Sequence, residues 1–204
     1  MSSTMSRKLR FVPIAVVTAL ASFVIAPAAQ AATGCTTVTS TSKPFSRWND
    51  NNAYVLSPGG NFESTLPGWV TKGATISRGN ESFYVGGTAD SKSLTLGSNG
   101  SATSAPVCIG LDYPSARFFL RNSAPTGRLK VDVLGVGLIG GVRSLLSSYV
   151  TAGSAWAPSS PLLILDNLTS LLLLGGKTPL SLRFTAMGGN WQIDDVYVDP
   201  YRRG

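Results

Sequence analysis

The chain has 204 residues, which is enough for one domain or two small ones. Only 13% of the residues are charged, about half of the usual share, whereas the hydrophobic fraction is an ordinary 43%. Histidine is absent. A histidine-containing catalytic triad, an imidazole general base and histidine-ligated zinc or haem are therefore excluded.

The first 31 residues have the pattern of a signal peptide. A basic segment at residues 7–10 precedes an apolar stretch at residues 11–25, and Ala29-Gln30-Ala31 is a small-residue cleavage motif. We therefore expect cleavage after Ala31 and a secreted, extracellular protein with no membrane span after cleavage. The apolar stretch is shorter than the ~20 residues that a membrane-spanning helix needs. A transmembrane anchor and a lipoprotein attached through Cys35 are the alternatives.

The formal net charge of +7 is partly a property of this leader. The leader holds three of the 17 Lys and Arg residues and none of the 10 Asp and Glu residues, so its removal leaves +4. The remaining basic residues are scattered, apart from Arg202-Arg203. Nucleic-acid binding needs a clustered basic face, so no nucleic-acid partner is expected.

Cys35 and Cys108 are the two cysteines of the chain. In an exported protein their oxidation is expected, and two cysteines allow one pairing. We therefore predict a Cys35–Cys108 disulfide. A redox or nucleophilic cysteine is not favoured, because there is no histidine partner and no Cys-x-x-Cys spacing.

Alternating polar and apolar residues predict β-strands through much of the remaining chain. The alternation is clearest at residues 128–133 and 178–184. Further candidate strands are residues 69–76, 92–96, 117–121 and 192–198. Turn signals such as Pro58-Gly59-Gly60 and Asn99-Gly100 separate them. Many short strands with frequent turns predict an all-β sandwich or barrel, formed as a single domain over residues 32–204 with its core from about 35 to 200.

The leucine-rich segment at residues 162–174 departs from this pattern. We predict a strand through Leu165 and then a short helix in a crossing loop, capped by Asp166 and ended by Gly175. This helix is expected to pack over the open end of the sandwich. A membrane-active or partner-binding helix is the alternative.

The strand pattern also predicts which side chains are buried. Phe118 and Phe119 are neighbours in one strand and should point to opposite faces, which places one of them near the surface. The predicted core residues are Phe62, Trp69, Leu94, Phe118, Leu129, Val131, Val133, Leu182, Phe184, Ile193 and Val196.

Two motifs carry a family resemblance. The first is Pro58-Gly59-Gly60-Asn61-Phe62-Glu63-Ser64 followed by Pro67-Gly68-Trp69, and the second is Trp191-Gln192-Ile193-Asp194-Asp195-Val196-Tyr197-Val198. Together they resemble the N-F-E-x-G…G-W opening and the I-D-D-V closing strand of carbohydrate-binding modules with a galactose-binding-like jelly roll. Over residues 54–200 the chain also resembles a group of secreted actinobacterial proteins with this fold. The resemblance implies a jelly-roll β-sandwich. Thr65 and the leucine-rich insertion depart from the family pattern.

The same resemblance implies one structural Ca²⁺, with ligands from the opening Glu63 and from the closing Asp194 and Asp195. The first and last strands of a jelly roll are neighbours, and carboxylates that lie close together repel one another unless a cation separates them. If Val196 points inward, Asp194 is the inward carboxylate and the better ligand. Pairing of these acids with an arginine, Arg47 or Arg117, or with a backbone amide is the alternative.

No residue pattern indicates an enzyme. Without histidine or a Ser-x-x-Lys motif there is no activated serine, and no spacing indicates a pair of catalytic carboxylates. The prediction is a secreted, non-catalytic jelly-roll domain that binds a polysaccharide or cell-envelope glycan. The alternative is a structural or interaction protein of the cell exterior with no sugar site.

Aromatic side chains are the candidates for sugar contact, because their faces stack on pyranose rings. Trp48 is the first candidate, since it lies in a polar setting formed by residues 47–51. Tyr84, Tyr113 and Tyr149 are the next candidates, as aromatics of loops or strand ends.

Overall fold

The structure of the protein is a computed structural model, which describes residues 40–109, 115–136, 141–164 and 178–199. These residues belong to one compact unit. Their strands pair antiparallel, and a 3-10 turn at Ser46–Trp48 is the one helical element in these ranges. None of the helical structure described there is long and apolar enough to cross a membrane. The predicted leader and the predicted helix after Asp166 lie outside the described residues.

Eleven strands are described. They are β1 (Val55–Leu56), β2 (Val70–Arg78), β3 (Lys92–Thr103), β4 (Val107–Ile109), β5 (Ser115–Asn122), β6 (Arg128–Val136), β7 (Val142–Val150), β8 (Ala157–Pro158), β9 (Leu162–Leu163), β10 (Thr178–Met187) and β11 (Trp191–Asp199).

One hydrogen-bonded network of strands curls into the two layers of a jelly-roll β-sandwich, as predicted. Its order is β7-β6-β10-β3-β11-β5-β8, with β1 on β11, β2 on β3, β4 on β10 and β9 on β5. The long strand β3 belongs to both layers, because its first half pairs with β11 and its last residues pair with β10. β2 follows β3 along both halves. The β2–β3 hairpin therefore forms the corner at which the sheet folds over.

A backbone irregularity at this corner replaces the turn predicted at Asn99-Gly100. Asn99 and Gly73 both have positive φ angles, 62° and 60°, and the β2–β3 register shifts between Lys72 and Ala74. A Cβ atom added at Gly100 would lie 2.4 Å from the carbonyl oxygen of Gly73. The two backbones approach so closely that position 100 has no space for a side chain, and β3 bends there without ending.

The main core lies between the two layers. All of the residues predicted for the core are buried. Six of the seven predicted strands correspond to β2, β3, β5, β6, β10 and β11, and the strand predicted through Leu165 corresponds to the shorter β9. Aromatic rings connect the layers: Phe118 meets Phe184 edge-on at 4.9 Å, and Phe62 meets Trp69 at 5.2 Å between ring centroids. Burial of a large apolar side chain stabilises the folded state by about 1.5–3 kcal/mol relative to leaving it exposed to water.

The prediction that one of the two adjacent phenylalanines, Phe118 or Phe119, lies near the surface is wrong. Phe119 points away from the main core, as alternation requires, but its side chain is completely buried in a second cluster with Phe45, Tyr54 and Tyr197. Phe45 stacks on Phe119 at 5.3 Å, and Phe83 lies at 5.6 Å. The segments before β1 and between β2 and β3 thus cover the outer face of β5 and β11.

Candidate functional site

The opening and closing motifs lie in direct contact. β1 pairs with the end of β11 through Val55 and Val198. The Val196 N–H donates to the carbonyl of Gly60 at 3.0 Å, and the carbonyl of Val196 accepts from the Ser57 N–H at 2.8 Å. This confirms that the first and last strands are neighbours.

A β-bulge in β11 brings both aspartates of the closing motif into the interior. Asp194 pairs with Phe119 and Tyr197 pairs with Arg117, so β11 has one extra residue between these two pairs. Asp195 has a φ angle of 48°, and it is completely buried together with Asp194 and Val196. The bulge breaks the alternation of side chains, so both carboxylates point away from solvent.

The Asp194 carboxylate is satisfied by the backbone. Its Oδ2 accepts a hydrogen bond from the Glu81 N–H at 2.8 Å, and its Oδ1 accepts one from the Asp195 N–H at 2.9 Å. Burial, followed by the charge of Asp195, raises the pKa of Asp194 to about 9. Asp194 therefore fixes the start of the β2–β3 connection, at residue 81.

Glu63 also has backbone partners. Its Oε1 accepts hydrogen bonds from the N–H groups of Ser91 and Lys92, both at 2.7 Å. Lys92 Nζ donates to the carbonyl of Glu63 at 2.5 Å. Neither Glu63 nor the aspartates pair with Arg117, whose ion-pair partner is Asp50 at 2.7 Å. The backbone-amide alternative is thus correct for Glu63 and Asp194.

Asp195 differs from these two acids. It is 1% exposed, and neither of its carboxylate oxygens accepts a hydrogen bond of normal geometry. A Cβ atom added at Gly86 would lie 3.1 Å from Asp195 Oδ1 and 2.4 Å from Asp90 Oδ2, so both carboxylates face the space beside Gly86. Burial, and then the charges of Glu81, Asp90 and Glu63, raise the pKa of Asp195 to about 7. Asp195 is therefore a desolvated carboxylate that lacks a positive partner.

A hard cation fits this arrangement in chemical terms, since Ca²⁺ takes carboxylate and carbonyl oxygens and water as ligands. Asp195 and Asp90 are the carboxylates positioned to hold it. Of the three carboxylates implied by the motif resemblance, Glu63 and Asp194 accept backbone hydrogen bonds of normal geometry, whereas Asp195 does not. Within the described ranges, no three Asp, Glu or Cys side chains have the spacing of a metal site, so the backbone and water would complete the shell.

A polar cleft of about 560 Å³ opens between the 3-10 turn and the edge formed by β5, β8 and β9. One wall is the segment Trp48 to Asn52, in which Trp48 is half-buried and Asn49 and Asn51 are exposed. The opposite wall consists of residues 158–161 and the exposed Leu163. An indole, amides, hydroxyls and a leucine therefore line one opening.

Arg117 forms the floor of the cleft. It is 6% exposed, and its guanidinium lies 4.3 Å from the ring centroid of Phe45. Its Nη1 donates to Asp50 Oδ2 at 2.7 Å, and its Nε donates to the carbonyl of Ser159 at 2.9 Å. The Tyr54 hydroxyl also donates to Asp50 Oδ2, at 2.7 Å. Arg117 thus joins both walls, because Asp50 and Ser159 lie on opposite sides.

The charge of Asp50 is held by this network. Burial opposes ionisation, but the hydrogen bonds from Tyr54 and Arg117 keep the pKa of Asp50 below its ordinary value. Asp50 is the one carboxylate among the described residues that line the cleft. A glycosidase uses two carboxylates on either side of the bond it cleaves, so this lining does not provide that pair.

The other sugar-contact candidates lie elsewhere. Tyr84 is 51% exposed in the connection between β2 and β3, and Tyr149 is 55% exposed on β7. Neither lines the cleft. Tyr113 lies outside the described residues, as does Cys35 of the predicted disulfide. The sequence suggested Arg117 only as a partner of the motif carboxylates, and it did not indicate residues 158–161. Neither was linked to Trp48, because both are distant from it in the chain.

The chain matches no protein-family model and no curated protein sequence. Solved structures do resemble it. The CBM22-1 xylan-binding domain of Xyn10C from Paenibacillus barcinonensis superposes with a TM-score of 0.50 and 12% identity, over 75% of this chain and 97% of that domain. The enzymatically active domain of tailspike protein 4 from bacteriophage CBA120 gives a TM-score of 0.51 and 14% identity, over 72% of this chain.

These likenesses establish the fold. The chain spans only 22% of the tailspike chain but almost the whole of the xylan-binding domain. The protein therefore has the β-sandwich architecture of a carbohydrate-binding module.

Proposed function

We propose that the protein is a secreted, non-catalytic domain that binds a polysaccharide or cell-envelope glycan in the cleft beside Trp48. The observation that carries the proposal is the lining of this cleft. Sugar-binding sites combine an aromatic surface for the pyranose ring with amide, carboxylate and guanidinium groups for the hydroxyls. Trp48, the exposed Asn49 and Asn51, and the Arg117–Asp50 pair provide these groups in one opening.

The architecture supports the same proposal. The xylan-binding domain has this fold over almost its whole length, so a soluble xylan is the first ligand to test. The Arg117–Asp50 pair is rigid before any ligand arrives, because Arg117 is also held by Ser159 and Phe45. Preorganised polar groups of this kind reduce the entropic cost of binding.

We further propose that one cation, Ca²⁺ by its preference for oxygen ligands, binds at Asp195 and Asp90. The supporting observation is the buried Asp195 carboxylate, whose oxygens accept no hydrogen bond of normal geometry and which has, among the described residues, only the Gly86 backbone as a nearby donor. A bound cation would remove the repulsion between Asp195 and the carboxylates around it. Its role there is structural, since it would hold the β2–β3 connection against the closing strand.

Isothermal titration calorimetry of the mature protein with soluble xylan, mixed-linkage β-glucan and purified cell-wall polysaccharide tests the glycan proposal. At least one polymer should bind, and Trp48→Ala should weaken that binding by about tenfold or more, as expected for a central aromatic contact. Asn51→Ala is a second cleft variant, chosen because Asn51 is exposed and its change should leave the fold intact.

Tyr84→Ala and Tyr149→Ala are the matched controls, because each removes an exposed tyrosine that does not line the cleft. Both should bind like the unmodified chain. If no polymer binds, the interaction-protein alternative replaces the glycan proposal. If Tyr149→Ala removes binding and both cleft variants retain it, the sugar site lies on the face of β7 instead.

A further inference from the structure

The connection between β2 and β3, residues 79–91, joins the carboxylate cluster to the aromatic wall of the cleft. At its start, the Glu81 N–H binds Asp194, and at its end the Ser91 N–H binds Glu63. Between these points Gly86 lies against Asp195 and Asp90. The whole connection is thus arranged around the carboxylates.

The same connection carries Phe83, which supports Trp48. The two rings meet edge-on, with 4.8 Å between their centroids, and Phe83 also lies 5.6 Å from Phe119. The guanidinium of Arg47 lies 5.6 Å from the Phe83 ring and 5.9 Å from the Trp48 ring. Trp48 therefore packs against Phe83, with Phe119 at 5.5 Å as a second ring contact.

Glu81 makes this segment rigid. It is completely buried, and its carboxylate accepts hydrogen bonds from the backbone N–H groups of Phe83 and Val85. The backbone on both sides of Phe83 is therefore tied to Glu81, which is itself tied to Asp194. Gly86, beside the space between Asp195 and Asp90, follows Val85 directly in the chain.

We infer that cation binding at Asp195 and Asp90 sets the position of Trp48 through Phe83, and so couples cation binding to glycan binding in the cleft. The inference rests on both proposals made above for this protein. A cation bound by both Asp90 and Asp195 would hold residues 86–90 in one position. Residues 81–85 precede them and are held together by hydrogen bonds to Glu81, so they would hold the Phe83 ring in place as well. Because such coupling is reciprocal, a glycan bound on Trp48 should tighten cation binding by the same factor.

Tryptophan fluorescence under CaCl₂ titration, without any glycan, tests this inference. The emission of the unmodified mature protein should change on saturation with Ca²⁺, and Trp48→Phe should lose most of that change, which assigns it to Trp48. Phe83→Leu should reduce the change by at least half. Tyr84→Leu, its exposed neighbour in the same connection, is the matched control and should retain the change in full.

Calorimetry separates the possible failures. If Ca²⁺ binds by calorimetry but Trp48 emission does not respond, or if Phe83→Leu and Tyr84→Leu respond alike, the coupling is wrong while the cation site stands. If no Ca²⁺ binds, the cation site and the coupling both fail. The glycan proposal is decided separately, by polymer binding in EDTA. With a polymer that binds, Ca²⁺ should raise its affinity by about fivefold or more, the lower end of typical coupling.

Discussion

Asp194 and Asp195 show how adjacent residues of one type acquire different roles. Asp194 accepts two backbone N–H groups and acts as a structural anchor for residue 81. Asp195, turned by its positive φ angle, lies beside Asp90 and accepts no hydrogen bond of normal geometry, although the Gly86 backbone lies near its carboxylate. A carboxylate buried in this way costs free energy unless it is protonated or neutralised by a cation. The difference between the two follows from the bulge, which alternation along the strand could not reveal.

The Asp195→Asn variant should show whether the Asp195 carboxylate is neutralised by protonation or by a bound cation. We expect EDTA to lower the melting temperature of the unmodified protein, because removal of a bound ion destabilises the folded state in proportion to its occupancy. Asp195→Asn should make the melting temperature insensitive to EDTA. Asp132→Asn, which changes a buried carboxylate in the other layer of the sandwich, is the control and should remain sensitive. A melting curve that EDTA leaves unmoved in the unmodified protein would exclude the structural cation.

Asp132 is expected to govern stability at acidic pH. It is 1% exposed and forms ion pairs with Lys130 at 2.9 Å and Arg183 at 2.8 Å. Burial opposes its ionisation, but hydrogen bonds from Lys130, Ser147 and Arg183 lower the pKa of Asp132 to about 2. A carboxyl with a lowered folded-state pKa contributes stability above its unfolded value, near 4, and that stability is lost as the pH falls towards 2.

Asp132→Asn should therefore cost about 1–3 kcal/mol of unfolding free energy at pH 7. The expected loss is below that of a fully buried pair, because the Lys130 and Arg183 side chains are 29% and 40% exposed. Urea unfolding at pH 7 and at pH 2.5 measures it, and the difference from the unmodified chain should shrink at the lower pH. Arg128→Gln, an exposed change in the same strand, should have no such effect. An equal loss at both pH values would contradict the ion-pair explanation.

At the scale of elements, the alternation of polar and apolar residues predicted those strands that have one face in the core and one face outside it. β6 and β10 alternate between core and outer positions, and both were predicted from their sequences. β7 was not predicted, since its residues are exposed or only half-buried and its apolar residues do not alternate. Its register against β6 also shifts beside Val133 and Leu134. Strands β1 and β8 have two residues each, too few to give a period, whereas the equally short β9 was predicted from the apolar run that ends at Leu165.

The turn of the opening motif requires a glycine at position 60, and this requirement can be tested. A Cβ atom added at Gly60 would lie 2.9 Å from the carbonyl oxygens of Ser57 and Val196. The Val196 oxygen accepts from the Ser57 N–H and so joins the turn to β11, and the Ser57 oxygen accepts from the Gly60 N–H within the turn, so neither oxygen can move freely. Gly60→Ala should therefore cost about 1–3 kcal/mol, the usual effect of overpacking.

Gly153→Ala is the matched control for this change. A Cβ atom there would meet no atom within 4 Å, and the loss of backbone freedom in the unfolded chain should leave stability unchanged or raised by up to about 1 kcal/mol. Thermal unfolding of both variants measures the contrast. Equal effects at the two positions would show that the contact of residue 60 with β11 is not specific.

At the scale of the whole molecule, the cleft forms only when distant parts of the chain assemble. Trp48 and Asp50 precede the first strand, Arg117 lies in β5, and Ser159 follows β8. The polar setting of Trp48 was visible in the sequence, so one wall could be predicted. The floor and the other wall depend on β5 pairing with β8 and β9, and no local pattern gives that pairing. The second aromatic cluster also forms only when distant segments assemble, because Phe45, Phe119 and Tyr197 are far apart in the chain.

The predicted Cys35–Cys108 disulfide would act on the molecule as a whole. Cys108 lies in β4, opposite Pro179 of β10, so the bridge would tie the segment before Ser40 to the layer that does not carry the cleft. Closure of a loop of this size restricts the unfolded chain by about 4 kcal/mol in the entropic description. Thiol titration of the exported protein in denaturant without reductant should find no free thiol. Urea unfolding with and without dithiothreitol should differ by a free energy of that order. Two equivalents of thiol in the unreduced protein would refute the bridge, and the stability of the sandwich would then depend on its two cores alone.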